Sequence, residues 1–273
     1  MNITLKKLPQ ARTQATVIFD DAEVKGAEES AIKGLGKTLS LPGFRPGTAP
    51  ISLLRERLSS ERIREEIVHQ LLPKALEDAQ KKGVKPIISP RVELTNLNPL
   101  TLMITFVEKP EVKVDRKKIQ TAAGKIEKEN DADGTKLLEV LASHTKVDLA
   151  PELLDAEVRD LLEQHARRLE QMGSSLSQWL TETKKSPEDF LKELRPSAHK
   201  RLQIRLGMSA LLEEWKITVS DEAMEEAITS LLQPLPEAER TQLRSLHKPG
   251  SRAYEQFRYQ KMVEMVFTRL RSA

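Results

Sequence analysis

Residues 43–50 read Gly43-Phe44-Arg45-Pro46-Gly47-Thr48-Ala49-Pro50. A large apolar ring stands beside a guanidinium, and the pair suits recognition rather than bond-making. The ring can fill a pocket while the guanidinium grips a carboxylate or phosphate with its fork of N–H groups. Pro42, Pro46 and Pro50 fix φ, and Gly43 and Gly47 permit positive φ, so the spacing predicts a stiff, sharply turned loop. The competing reading is a plain helix–helix connector whose Phe44 folds back into the core.

Other chemistry is harder to build from this chain. Its five histidines, at 69, 144, 165, 199 and 247, are scattered, and with no cysteine there is no thiolate partner for a zinc site. His165 falls on an apolar helical stripe and is expected to pack there. Pairs such as Glu65-Glu66 and Glu225-Glu226 sit on charged helical faces that water solvates. No Gly-x-Gly-x-x-Gly or Walker-type loop occurs, so no nucleotide dependence is indicated. The expectation is a protein with no catalytic residues, no metal and no cofactor.

The 273 residues suffice for two domains with real cores, and 31% are charged while 4% are aromatic. Residues 1–110 carry 17 Lys and Arg against 13 Asp and Glu, a net +4, whereas the remainder is net −1. The basic excess therefore lies with the loop, as suits a module that approaches nucleic acid. The first residues lack the apolar stretch of a signal peptide, and no apolar run approaches a membrane span. A soluble, cytoplasmic protein without a membrane partner is expected.

Residues 1–110 read as α+β. Ala15, Val17 and Phe19 alternate with Thr16, Ile18 and Asp20, the period of a half-buried strand, and Ile3 and Leu5 suggest a partner strand. Val24, Ala27, Ala31, Ile32 and Leu35 keep helical spacing up to the loop. Leu53, Leu54 and Leu58 mark a short helix after it. Ile63, Ile67, Leu71, Ala75 and Leu76 mark a longer helix, ended by Gly83 and Pro86. A hairpin is expected from residues 87–94 to residues 100–107. Residues 113–134 are polar and lack aromatics, and they read as a linker.

The rest reads as helical. Leu154, Val158, Leu161, His165, Leu169 and Met172 form one stripe. Ser186-Pro187-Glu188-Asp189 and Ser220-Asp221-Glu222 are helix starts, and Pro196 should kink or restart the helix that contains it. Tyr259, Met262, Val263, Val266, Phe267 and Leu270 form the last stripe. The organisation expected is an α+β domain over 1–112, an antiparallel sheet with helices and a helix-loop-helix tip. A linker over 113–134 and an all-α domain of long helices over 135–273 follow it.

The loop GFRPGTAP resembles the ribosome-docking signature of the bacterial trigger factor family, Gly-Phe-Arg-x-Gly-x-x-Pro, at Gly43, Phe44, Arg45, Gly47 and Pro50. Pro46 stands where a Lys is often found and Thr48 where a Lys is usual. Each missing cation should weaken attraction to an anionic surface. Residues 147–158, VDLAPELLDAEV, resemble the family's entry into its C-terminal chaperone domain. The run from Leu194 to Arg201 around Pro196, with the later LLEEWKITVSDEAMEEAI, resembles that domain's further helices. The likeness covers the chain except residues 111–134. There the family usually inserts an FKBP-type prolyl-isomerase domain with an aromatic-lined pocket. About forty residues separate Pro110 from Pro151, residues 136–143 already read as a helix, and no aromatic residue occurs between Phe106 and Trp179. That domain is expected to be missing.

The resemblance implies an ATP-independent chaperone that docks beside the exit tunnel of the large ribosomal subunit and shields nascent or unfolded polypeptides. Gly43, Phe44, Arg45, Pro46, Gly47 and Pro50 would carry docking. Leu161, Met224 and Val263 mark the helical faces that would hold clients, helped by the adaptability of methionine. A weak homodimer is a further partner it allows. Two other readings stay open: a prolyl isomerase by family association, and a ribosome-bound assembly or regulatory factor with one specific partner.

Overall fold

A computed structural model describes residues 1–42, 44–45, 48–126 and 134–272. It divides into two units, residues 1–110 with 149–156, and residues 111–148 with 157–273.

The first unit is α+β. β1 (Asn2–Leu8), β2 (Arg12–Ile18), β3 (Arg91–Leu97) and β4 (Leu100–Val107) form an antiparallel sheet in the order β1-β2-β4-β3. Ala15 stands opposite Leu5 on one side and Ile104 on the other. The predicted alternation is present: Thr13, Ala15 and Val17 of β2 and Leu100, Leu102, Ile104 and Phe106 of β4 point into the core. Thr13 is the one polar residue of that set, and its hydroxyl donates to Glu108 at 2.5 Å, so nothing is left unsatisfied.

Two helices cover the inner face, α1 (Asp21–Gly36) and α3 (Ser60–Lys81), with the short α2 (Ile51–Arg57) between them. Ala27, Ala31 and Ile32 of α1 and Ile63, Ile67, Leu71 and Ala75 of α3 close the core on Phe19 and Phe106. Ser59 caps α3 by accepting from the Arg62 N–H. The hairpin begins later than the spacing predicts. Residues 87–90 hold Ser89 and Pro90, which cannot extend a ladder well, and regular pairing starts at Arg91.

The second unit is helical apart from a two-stranded ladder. It contains β5 (Val112–Val114), α4 (Arg116–Ala123), α5 (Thr135–Ser143), β6 (Thr145–Val147), α6 (Pro151–Gln171, from residue 157 onward) and α7 (Leu176–Glu182). α8 (Pro187–Glu214), α9 (Asp221–Leu232), α10 (Glu237–Leu246) and α11 (Arg252–Arg271) complete it. One core joins Ile119, Leu137, Leu141, Met208, Leu211, Val266 and Leu270. A smaller one joins Val219, Met224, Ile228, Leu232 and Tyr254. Ser186 and Ser220 cap α8 and α9 as the sequence predicts.

One expectation needs correction and another is narrowed. The stretch 113–134 is not wholly a linker: Val112–Val114 pairs with Thr145–Val147, and Ile119 and Ala123 of α4 are fully buried. Two apolar residues four apart sufficed to seat a short helix that average polarity concealed. The linker positions 127–133 lie outside the described residues. Pro196 does not restart α8, which runs as one helix of 28 residues. Burial of Phe190 before the proline and Ala198, Leu202 and Leu206 after it offsets the single lost backbone bond.

Between α6 and α8 lies a charged contact. Glu157 is 2% exposed and is held by Arg201 and Arg205, each at 2.9 Å and one helical turn apart. Nearby, His165 packs against the rings of Trp179 and Phe190 at 4.7 and 5.1 Å, as its place on the stripe suggests.

Candidate docking loop

The ends of the loop are fixed by packing. Gly36 closes α1 so near α2 that a Cβ there would run into the Leu54 side chain, itself 3% exposed. Leu39, Leu41, Ala49 and Ile51 pack on the same core. Pro50 precedes α2 with φ −59°, and its carbonyl accepts from the Leu53 and Leu54 N–H groups at 3.1 Å. The helix that follows therefore starts at a set angle from a rigid residue.

Inside the loop three local bonds hold the backbone at Phe44 and Arg45. The Phe44 N–H donates to the Leu41 carbonyl at 3.1 Å. The Arg45 carbonyl accepts twice from Thr48, from its N–H at 3.0 Å and its hydroxyl at 2.7 Å. Phe44 does not fold back into the core; it is 39% exposed. Arg45 is exposed and has no carboxylate partner among the described residues, whereas Arg55 on α2 is paired with Glu28 of α1. Leu53, on the first turn of α2, adds a second exposed apolar side chain. Gly43, Pro46 and Gly47 lie outside the described residues. The site thus offers a solvent-exposed ring and an uncommitted guanidinium on a short, tethered turn.

The helix to which the loop is joined is itself well tied. The Glu23 carboxylate of α1 is paired with Lys74 of α3 and with the Met1 amine, and it accepts from the Asp20 N–H at 3.2 Å. The Lys74 ammonium, then the amine, lower its pKa to about 2.

The three residues expected to contact clients do not come together. Met224 is fully buried in the smaller helical core and cannot present a surface, a correction to the expectation. Val263 is partly buried against the larger core, and Leu161 is half-buried on α6. The exposed apolar residues of the second unit are others, among them Met172, Leu231, Leu246 and Met265. Met265 falls out of phase with the stripe of Met262, Val266 and Leu270, and that phase shift is a signal the sequence carried. Among the described residues no cluster of side chains gathers as metal ligands, and no helix is long and apolar enough to cross a membrane.

Comparison with known proteins gives a consistent picture. The family description "Bacterial trigger factor protein (TF)" matches residues 1–141, and that of its C-terminus matches residues 111–267. A trigger factor of Thermomicrobium roseum is 31% identical over 116 residues, 42% of this chain and 24% of its own length. One from Natranaerobius thermophilus is 27% identical over 170 residues, 61% of this chain and 34% of its own length. The matched stretches thus span about a quarter to a third of those relatives. A solved structure described as "Promiscuous Substrate Recognition in Folding and Assembly Activities of the Trigger Factor Chaperone" superposes with a TM-score of 0.66. That superposition covers all of this chain and 99% of the other at 17% identity, a likeness of fold.

Proposed function

Because this chain belongs to the bacterial trigger factor family, we propose that it is an ATP-independent holding chaperone. Its loop between α1 and α2 docks on the large ribosomal subunit near the exit tunnel, and its helical unit shields nascent or unfolded polypeptides in the cytoplasm. The observation that carries this reading is the pair Phe44 and Arg45. One is exposed despite being a large apolar ring, the other is free of any internal carboxylate among the described residues, and both sit on a turn pinned at its two ends. An exposed ring costs solvation that a binding partner returns, and an unpaired guanidinium is ready for phosphate or carboxylate.

The two family matches overlap across residues 111–141, so no stretch of chain lies between them to hold an inserted isomerase domain. This supports holding without prolyl isomerisation. The test is co-sedimentation of the full chain with ribosomes. Wild type should pellet with them and Phe44→Ala with Arg45→Ala should stay in solution. Equal pelleting of both proteins contradicts the docking reading.

A further inference from the structure

One flank of α11 bounds a groove whose chemistry the loop does not account for. Lys261, Met265, Thr268 and Arg269 fall at i, i+4, i+7 and i+8 and so form one stripe of the helix. Ile217, Val219 and Ala223, from the turn after α8 and the first turn of α9, line the same cavity of about 620 Å³. That volume is in the range of pockets that bury a small ligand or a short peptide. Met265 is 46% exposed there, an unusual position for a methionine in a helix with two buried faces to choose from. The Thr268 hydroxyl is already used, donating to the Glu264 carbonyl at 2.9 Å.

The two ends of the groove differ in charge. At one end Lys261 is paired with Glu264 at 2.8 Å, and the other Glu264 oxygen accepts from Gln260, so this end is neutral. At the other end the Arg269 guanidinium lies 4.6 Å from the centre of the Trp215 ring and has no carboxylate partner among the described residues. That cation–π contact holds the guanidinium in place without using its N–H groups on a carboxylate, so they remain available as a fork for one.

We propose that this groove binds a short apolar peptide segment carrying one side-chain carboxylate. Its apolar side chains would lie over Met265, Ile217 and Val219, and its carboxylate would pair with Arg269. A segment carrying a cation would meet Arg269 as a like charge, with Glu264 already engaged by Lys261. The span from Lys261 to Arg269 is about 12 Å along the helix, matched by roughly four extended residues. The inference deepens the holding reading, on which its biological meaning rests, by giving it a client class.

The test uses the full chain and fluorescein-labelled, end-capped Leu-Phe-Glu-Leu-Leu, with versions carrying Gln or Lys in place of Glu. Fluorescence anisotropy should show the Glu peptide binding on the order of tenfold tighter than the Gln peptide, as a charge-assisted pair supplies. The Lys peptide should bind weakest. Arg269→Gln should abolish the preference for Glu while leaving the thermal midpoint within a few degrees. Met265→Asp should weaken all three peptides. No preference in wild type, or a preference that survives Arg269→Gln, overturns the proposal. So does a concentration-dependent dimer in sedimentation that Met265→Asp dissolves, since a second copy would then cover the groove. Delay of aggregation of a denatured client is measured in parallel. If it fails while the peptide preference stands, the holding reading falls and the groove remains.

Discussion

Phe44 and Arg45 should act through different physics, and their variants should separate accordingly. Phe44→Ala removes the area that fills a pocket, and Arg45→Ala removes charge-assisted bonds that salt weakens. Each should cost about 2 kcal/mol of ribosome affinity, some thirtyfold, with the Arg45 contribution shrinking as salt rises. Titrating labelled protein with ribosomes at two salt concentrations checks this. Thr48 has a quieter part. Its hydroxyl and N–H both bind the Arg45 carbonyl, so Thr48→Val, isosteric and uncharged, should weaken docking by a few-fold through a looser turn. Thr48→Lys, expected from the sequence to tighten docking by adding a cation, exchanges that bond for the charge and should therefore gain little. A gain of tenfold or more for Thr48→Lys would show that charge outweighs the turn.

At the level of elements, the tie between α1 and its neighbours carries a pH signature. The Glu23 pKa is lowered to about 2 by Lys74 and the Met1 amine. A depressed carboxylate stabilises the fold above its ordinary pKa near 4.5 and loses that effect as pH falls toward 2. Thermal midpoints of wild type and Glu23→Gln should therefore differ at pH 7 and converge between pH 4.5 and 2. A gap that stays constant over that range would rule the ion pair out as its source. For α4, Ile119→Ala should cost about 2–5 kcal/mol in urea unfolding, since the side chain is fully buried; a change near zero would restore the linker reading. The strands and the long helices were legible because period-two and three-four spacings are local. Helix α4 was not, because its reason to exist is Leu137, Leu141, Val266 and Leu270, far along the chain. The same holds within the candidate sites. The types and neighbours of Phe44 and Arg45 and the helical phase of Met265 could be read locally, while the burial of Met224 is decided by distant residues that pack on it.

For the whole molecule, the first unit comprises more than its N-terminal residues. Ala150 and Leu153 are buried, and Arg12 pairs with Glu152 at 3.4 Å within that unit. Residues 1–112 should still fold and pellet with ribosomes, because the sheet, α1 and α3 close their own core. That fragment should melt several degrees below a version to which residues 149–156 are restored as a linked segment. Equal melting of the two would show that the segment adds nothing. Holding should need neither nucleotide nor isomerase chemistry. A few-fold excess of the chain should delay aggregation of a denatured client, while a protease-coupled assay on a Pro-containing peptide should match buffer.

The Glu157 contact says something about alignment. Apolar stripes on α6 and α8 are chemically forgiving; a leucine row slid by one turn still finds leucines. A carboxylate sealed between Arg201 and Arg205 is not forgiving, because any slide leaves an ion with neither water nor counterion. Glu157→Ala should cost only about 1–2 kcal/mol, since Arg201 and Arg205 are half-exposed and water takes over the two cations. Replacing all three with Met, Leu and Leu should recover much of that stability, yet yield duplicated or broadened amide signals as neighbouring alignments become populated. The triad acts as a vernier mark: it contributes little to how tightly the two helices grip, and fixes where along each other they do so.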